Sequence, residues 1–330
     1  MADWKVSEEA AALHADALVW DMTFPFLDKG AVDLKWSALE RMQASGFNMV
    51  SLTLAIDYNG LTDTTQTIAK EHAWFRAHAD KYVVVESADD ILRAKNEGKL
   101  AVGFHFQGTN PVAQDLNMVE TYYKLGIRHM LMAYNVKNAV GDGCMELTDS
   151  GLSRYGRSLI AEMHRAGMFV DVAHTGHRTA MDVFEAAEGP VIISHANALA
   201  VRDAGDHRNV PDEQIKACAA SGGVIGVIGF GPNVCEKGEL STKALLRHID
   251  HIAQLVGPQH VGLALDYVFD NEYNHPNPWN PIYAPRPIEQ IEPEDLPQLT
   301  QDMMEAGYKE TDIRGILGEN WFRLAQQVWR

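Results

Sequence analysis

Two histidines carry the clearest chemical signal in this chain. His174 follows the apolar run VDVA and His195 follows VIIS, so each ends a short strand-like segment. Neutral imidazole is a good zinc ligand, and two of them closing successive strands suit one shared metal ion. Alone, either one reads as a hydrogen-bonded structural residue. Asp266 closes another apolar run, LALD. A carboxylate there can take a proton from a water whose pKa a metal lowers, or it caps the following loop.

Other polar residues end strand-like runs as well: Asp21 and Thr23, His105 and Gln107, and Tyr134. His105-Phe106-Gln107 puts two polar side chains on one strand face. Gln107 is then a weak oxygen ligand. His105 is either a further ligand or a satisfied core histidine one layer deeper. Asp21 is a ligand or a buried hydrogen-bond partner. Tyr134 either bonds a substrate oxygen or fills space at the strand ends. His177, His248, His251 and His275 fall on helical or loop stretches and read as solvated.

The elements that must carry these residues are short apolar runs separated by amphipathic stretches. Strands are expected at 17–24, 47–55, 100–107, 127–134, 168–174, 190–195, 222–230 and 260–266. Their Val, Ile, Leu and Met content suits strands buried on both faces. Helices are expected at LKWSALERMQASG, MVETYYKLG, SRYGRSLIAEMHRAG and TKALLRHIDHIAQLVG, each ending in the glycine that favours a left-handed cap. About eight strands alternating with helices indicate an α/β fold of the (β/α)8 TIM-barrel type, with catalytic groups at the C-terminal strand ends. An open doubly wound sheet is the rival, but no glycine-rich phosphate loop follows the first strand. Residues 1–330 read as a single barrel domain. The segment 267–297 is rich in Pro, Asn and aromatics and reads as a lid, in which Asp270, Glu272 and His275 could supply a ligand.

Composition narrows the partners. The formal net charge of −17 disfavours nucleic acid and anionic lipid. Three widely spaced cysteines, Cys144, Cys218 and Cys235, form no CxxC pair, which argues against a disulfide framework and fits a cytoplasmic setting. The charged N-terminus does not read as a signal peptide, and LAQQVWR does not read as an anchor signal. No run of 18 or more apolar residues suggests a membrane span.

Around these residues the sequence resembles the membrane (renal) dipeptidase family of metallopeptidases, in the amidohydrolase superfamily. GLSRYGRSLIAEMHRAGMFVDVAHTG is similar to the block leading to the family's first zinc histidine, here His174, and PVIISHANALAV to the block carrying the next, His195. RNVPDEQIKACAASGGVIGV follows as in the family, which makes Arg208 the group that binds the substrate's carboxylate. The bland reading of Arg208 is a surface ion pair near Asp203, Asp206 and Asp212. HVGLALD is similar to the eighth-strand block and makes Asp266 the catalytic aspartate; KLGIRHMLMAYN and LGENWFRL match further blocks. The resemblance also implies a homodimer.

The departures are as informative. The family's first strand ends in His-x-Asp, two ligands of one zinc; here Thr23 and Pro25 stand in those places. The bridging glutamate is replaced by Gln107, and the histidine that polarises the scissile carbonyl by Tyr134. A neutral amide bridges two dications poorly. The expectation is one divalent metal, zinc by resemblance, on His174 and His195. The function expected is hydrolysis of a C–N bond in a small carboxylate-bearing molecule, with Asp266 as base, Arg208 holding the carboxylate and Tyr134 facing the oxyanion. The alternative is a homologue that binds a small metabolite without metal.

Overall fold

The computed structural model describes residues 4–26, 32–205, 207–269 and 287–330. Its strands are β1 (Trp20–Phe24), β2 (Met49–Ile56), β3 (Tyr82–Val84), β4 (Leu100–Gln107), β5 (Ile127–Leu131), β6 (Phe169–Asp171), β7 (Val191–Ile192), β8 (Ile225–Val227) and β9 (Val261–Leu263). All pairings between them are parallel. Strands β1-β2-β4-β5-β6-β7 follow in order, with β3 alongside the first half of β4, and β8 pairs β9.

Two seams close this sheet into a barrel. A parallel bridge between Ile193 and Ile225 joins β7 to β8. Between β9 and β1, Asp266 N donates to Thr23 O at 3.2 Å, and Leu265 N donates to the Asp21 carboxylate at 2.8 Å. A side chain thus replaces part of the backbone ladder. The eight expected strand segments all contain strands, several of them shorter than the apolar runs. Strand β3 was not expected, and it is three residues long.

Local sequence explains the regular parts. Strand β4, LAVGFHFQ, is buried along its whole length. Helices cover its outer face and side chains fill the interior, so nothing on it meets water. The helix Arg154–Ala166 buries Leu159, Ile160, Met163 and Ala166. Its first turn is held by Ser153, whose hydroxyl accepts from Gly156 N at 3.0 Å. Gly167 ends it at φ 87°. Losing such a cap costs about 1 kcal/mol. This helix hands the chain to β6 and so to His174. At the β7–β8 seam only glycine fits at position 226, because an added Cβ would lie 2.0 Å from Ser194 O.

The expected lid is only partly within the described residues, and Asp270, Glu272 and His275 lie outside them. Its two described ends are tied together. Gln290 accepts from Val268 N at 3.0 Å and donates to Val268 O at 3.2 Å. Arg41 bonds Tyr267, Glu292 and Glu294.

Candidate active site

His174 and His195 meet at the C-terminal end of the barrel. Their Nε2 atoms are 2.9 Å apart. Two imidazoles on one tetrahedral zinc stand about 3.3 Å apart, so a small outward movement would admit an ion between them. Nδ1 of His174 lies 2.6 Å from Asn135 Oδ1. Nδ1 of His195 lies 2.6 Å from Ser194 Oγ and 3.2 Å from Thr23 Oγ1. Both rings are buried. Burial, with the Arg208 guanidinium close by, holds their pKa values well below the usual histidine range. They are neutral at pH 7, as metal ligands must be.

Backbone strain marks the same place. His174 (φ 59°), Asn135 (φ 63°) and Asp266 (φ 52°) all adopt the left-handed conformation, at a cost of about 1 kcal/mol or more each. Local hydrogen bonds hold the first two: Cys144 N donates to His174 O and Met145 N to Asn135 O, each at 2.8 Å. Asp266 is held by its bond to Thr23 O. All three residues lie just past the ends of β5, β6 and β9.

Arg208 is no surface residue. It is 2% exposed, and Nη2 donates to His195 O at 2.7 Å. Its positive charge acts on His174, His195, Asp171, Tyr134 and Asp266. Asp266 keeps some surface but sits among protein atoms, and burial raises its pKa to about 6 against the pull of Arg208. The Tyr134 ring packs on His174 with centroids 4.5 Å apart, and burial raises its pKa, so the phenol stays protonated. His174, His195, Arg208, Asp266 and Tyr134 therefore form one neighbourhood.

His105 is placed differently from the ligand reading. His105 lies inside the barrel with Nδ1 at 3.0 Å from Ser51 Oγ and Nε2 at 2.8 Å from Thr53 Oγ1. Both ring nitrogens are engaged, as a satisfied core histidine requires. Gln107 donates from Nε2 to the same Thr53 hydroxyl at 3.1 Å. His248, expected in solvent, is buried, with its ring between Ala198 N and Val234 O. Asp21 is a buried hydrogen-bond partner, accepting from Thr23 N and Leu265 N.

Three residues that the sequence did not single out help to build the site, together with Asn135, which follows Tyr134 and reads from the sequence as a candidate partner for a substrate oxygen. Asn135 orients His174, and Ser194 orients His195. Asp171 accepts from Ala173 N and Ser194 N, both at 3.0 Å, and so ties the ends of β6 and β7 together. Asp57 accepts from Thr109 N, Asn110 N, Tyr134 N and Asn138 Nδ2, knitting the loops after β2, β4 and β5. A second strand drawn two residues longer would have exposed Asp57 as a strand-end carboxylate.

His174 and His195 fit as two ligands of an ion. Among the described residues, no group of three or more His, Cys, Asp or Glu side chains is arranged to hold one. The same residues contain no helix long and apolar enough to cross a membrane.

The sequence model for membrane dipeptidase, peptidase family M19, matches residues 15–330. The chain belongs to the membrane dipeptidase family. Among curated relatives, an uncharacterized dipeptidase of Schizosaccharomyces pombe is 34% identical over 192 residues, 56% of this chain and 45% of that protein. Dipeptidase aclJ of Aspergillus oryzae is 26% identical over 320 residues, 95% of this chain and 71% of that protein. The chain thus spans under half the length of the yeast relative. In three dimensions it is similar to an amidohydrolase from Pseudomonas aeruginosa, with TM-score 0.86, 28% identity, and coverage of 97% of this chain and 99% of that one. A Rhodobacter sphaeroides metallopeptidase, solved with a phosphinate mimic of the dipeptide L-Ala-D-Ala, shares the fold at TM-score 0.78 and 21% identity, over 95% of this chain and 100% of that one. These likenesses agree with the α/β barrel and the amidohydrolase-like fold expected from the sequence.

Proposed function

We propose that this membrane dipeptidase family chain is a hydrolase of a C–N bond, amide or peptide, in a small substrate bearing a carboxylate, with one divalent ion, zinc, on His174 and His195. The observation that carries this reading is the 2.9 Å approach of the two Nε2 atoms beside Arg208 and Asp266. A bound zinc would supply Lewis acidity and acidify a water. The chain does the rest. Arg208 pairs with the substrate carboxylate through its planar fork. Asp266 takes the attacking water's proton and returns it to the leaving nitrogen. The Tyr134 hydroxyl donates to the oxygen on which charge develops. Dipeptides, N-acyl amino acids and cyclic amides all present these groups. A homodimer in a reducing compartment goes with this reading, on the resemblance and the three separate cysteines.

A second reading, a metal-free binder of a small carboxylate, is favoured by one observation: no three-ligand group forms among the described residues. Elemental analysis of protein purified without chelator separates the two, together with a panel of dipeptides and N-acyl amino acids. One equivalent of metal with turnover supports the hydrolase. No metal, and no turnover with zinc added, overturns it.

A further inference from the structure

Asp57 is a carboxylate that the reaction proposed above does not use. It is the residue after β2 and is buried. Its Oδ1 accepts from Thr109 N at 2.8 Å and from Asn110 N at 3.0 Å. Its Oδ2 accepts from Tyr134 N and from Asn138 Nδ2, both at 2.9 Å. All four donors are uncharged. A carboxylate offers about four lone-pair sites, so these bonds fill it. The main chain adds to the knot, since Asn110 Nδ2 donates to Asp57 O at 2.6 Å. Gly108 lets the loop after β4 come this close: it sits at φ 140°, and an added Cβ would collide with the Asp57 carboxylate.

One of the four bonds reaches the candidate site. Tyr134 lies three residues past the end of β5, where the sheet's ladder no longer holds the backbone. Its N–H is fixed by Asp57 instead. The same short segment is tied a second time through Asn138, whose Nδ2 also donates to Thr109 Oγ1 at 3.0 Å and to Met132 O at 2.8 Å. The Tyr134 ring then packs on His174, with centroids 4.5 Å apart. A hydrogen-bond donor aids a reaction only when it is held where charge develops, and a misplacement of about 1 Å can cost about 100-fold in rate. We infer that Asp57 is a positioning residue: by anchoring Tyr134 N to the loop after β4, it sets where the Tyr134 hydroxyl stands during the reaction. This rests on the role proposed above for Tyr134.

Asp57→Asn nearly keeps the shape, but its amide sets an NH2 group against two N–H donors. On the panel of dipeptides and N-acyl amino acids, kcat should fall by about 10- to 100-fold with KM little changed. Tyr134→Phe should lower kcat by about 100-fold, and in that background Asp57→Asn should cost little more, because both remove the same contact. A brace that only holds loops together would lower the melting temperature and leave kcat alone. That outcome, or losses that multiply, overturns the inference. A second readout needs no turnover. In the full chain labelled with 13C-tyrosine, the Tyr134 ring signal is identified by its loss in Tyr134→Phe. Asp57→Asn should shift it and leave the signal of Tyr308, which bonds Asp250, in place. If no substrate is turned over, the hydrolase reading falls and the ring signal decides: a shift supports the anchoring of Tyr134 by Asp57, and an unmoved signal removes it. Should Asp57→Asn fail to fold, Asn138→Ala takes away one donor and keeps the carboxylate. It should shift the same signal and lower kcat by a smaller factor, and an unmoved signal there overturns the inference as well.

Discussion

The two sides of the barrel mouth are built from different chemistry. On the side of β6, β7 and β9 stand two neutral imidazoles, a buried guanidinium and a carboxylate, all close to one another. On the side of β1 and β4 stand Thr23, Gln107 and His105, whose polar atoms bond hydroxyls and, for Thr23, the His195 ring. Thr23 bonds His195, Gln107 bonds Thr53, and His105 bonds Ser51 and Thr53. The first side holds groups that can bind an ion or move a proton. The second is a neutral wall that braces it. A metal centre needs charge or lone pairs facing inward, and on the proposed reading only the first side offers them.

Truncation should expose the difference most strongly. His174→Ala or His195→Ala should abolish metal binding and lower kcat/KM by at least about 10³-fold, since the activated water goes with the ion. Thr23→Ala, on the opposite wall, should cost about tenfold or less. Metal content and steady-state kinetics on the same preparations check both. Equal losses on the two sides would break the comparison.

Arg208→Ala should raise KM by about 10- to 100-fold, the worth of a charge-assisted pair. The loss should vanish for a substrate analogue whose carboxylate is amidated. A loss that persists with the amide would place Arg208 as a brace for His195 O rather than a substrate contact.

Asp266 gives the next effect. Its pKa is raised to about 6 by burial. As a base it works only when ionised, so kcat/KM should climb about tenfold per pH unit below 6 and level off above it. Asp266→Asn should remove that limb along with most of the activity. A wild-type profile flat from pH 5 to 7 would overturn the assignment.

Much of this was readable in the sequence because it depends on local pattern. Apolar runs gave the strands, and their polar ends gave His174, His195 and Asp266. What was not readable depends on distant parts meeting. Asn135 reaches His174 only because its backbone is left-handed, and no residue pattern near NVKN announces that. Asp171 lies in the middle of an apolar run, where its carboxylate serves the next strand. His248 is different, because the signal was present: it shares a helix face with Leu245, Ile249 and Ile252, all buried. Helical spacing alone placed it inside.

Gln107→Glu tests whether the neutral wall can be turned into a ligand face. A carboxylate at the end of β4 should tighten metal binding by up to about tenfold, through added negative charge near the pair. Calorimetric titration with zinc measures it. If affinity is unchanged, the end of β4 lies beyond reach of the ion.

The smallest effect lies where the two sides meet, at the seam between β9 and β1. Asp21 Oδ1 accepts from Thr23 N and Leu265 N, and burial raises its pKa to about 8. The folded chain therefore keeps a proton that the unfolded chain releases near pH 4. With more protons bound in the folded state, stability contributed here falls as pH rises from about 4 to about 8. Asparagine keeps the accepting oxygen and cannot ionise. Asp21→Asn should match the wild type near pH 4 and exceed it by at least about 1 kcal/mol near pH 8. The gap between two thermal melts at each pH reports position 21 together with its repulsion from Asp266. A gap that stays constant across that window would mean that Asp21 is ionised in the folded protein, and that the seam joins two charged walls rather than a charged and a neutral one.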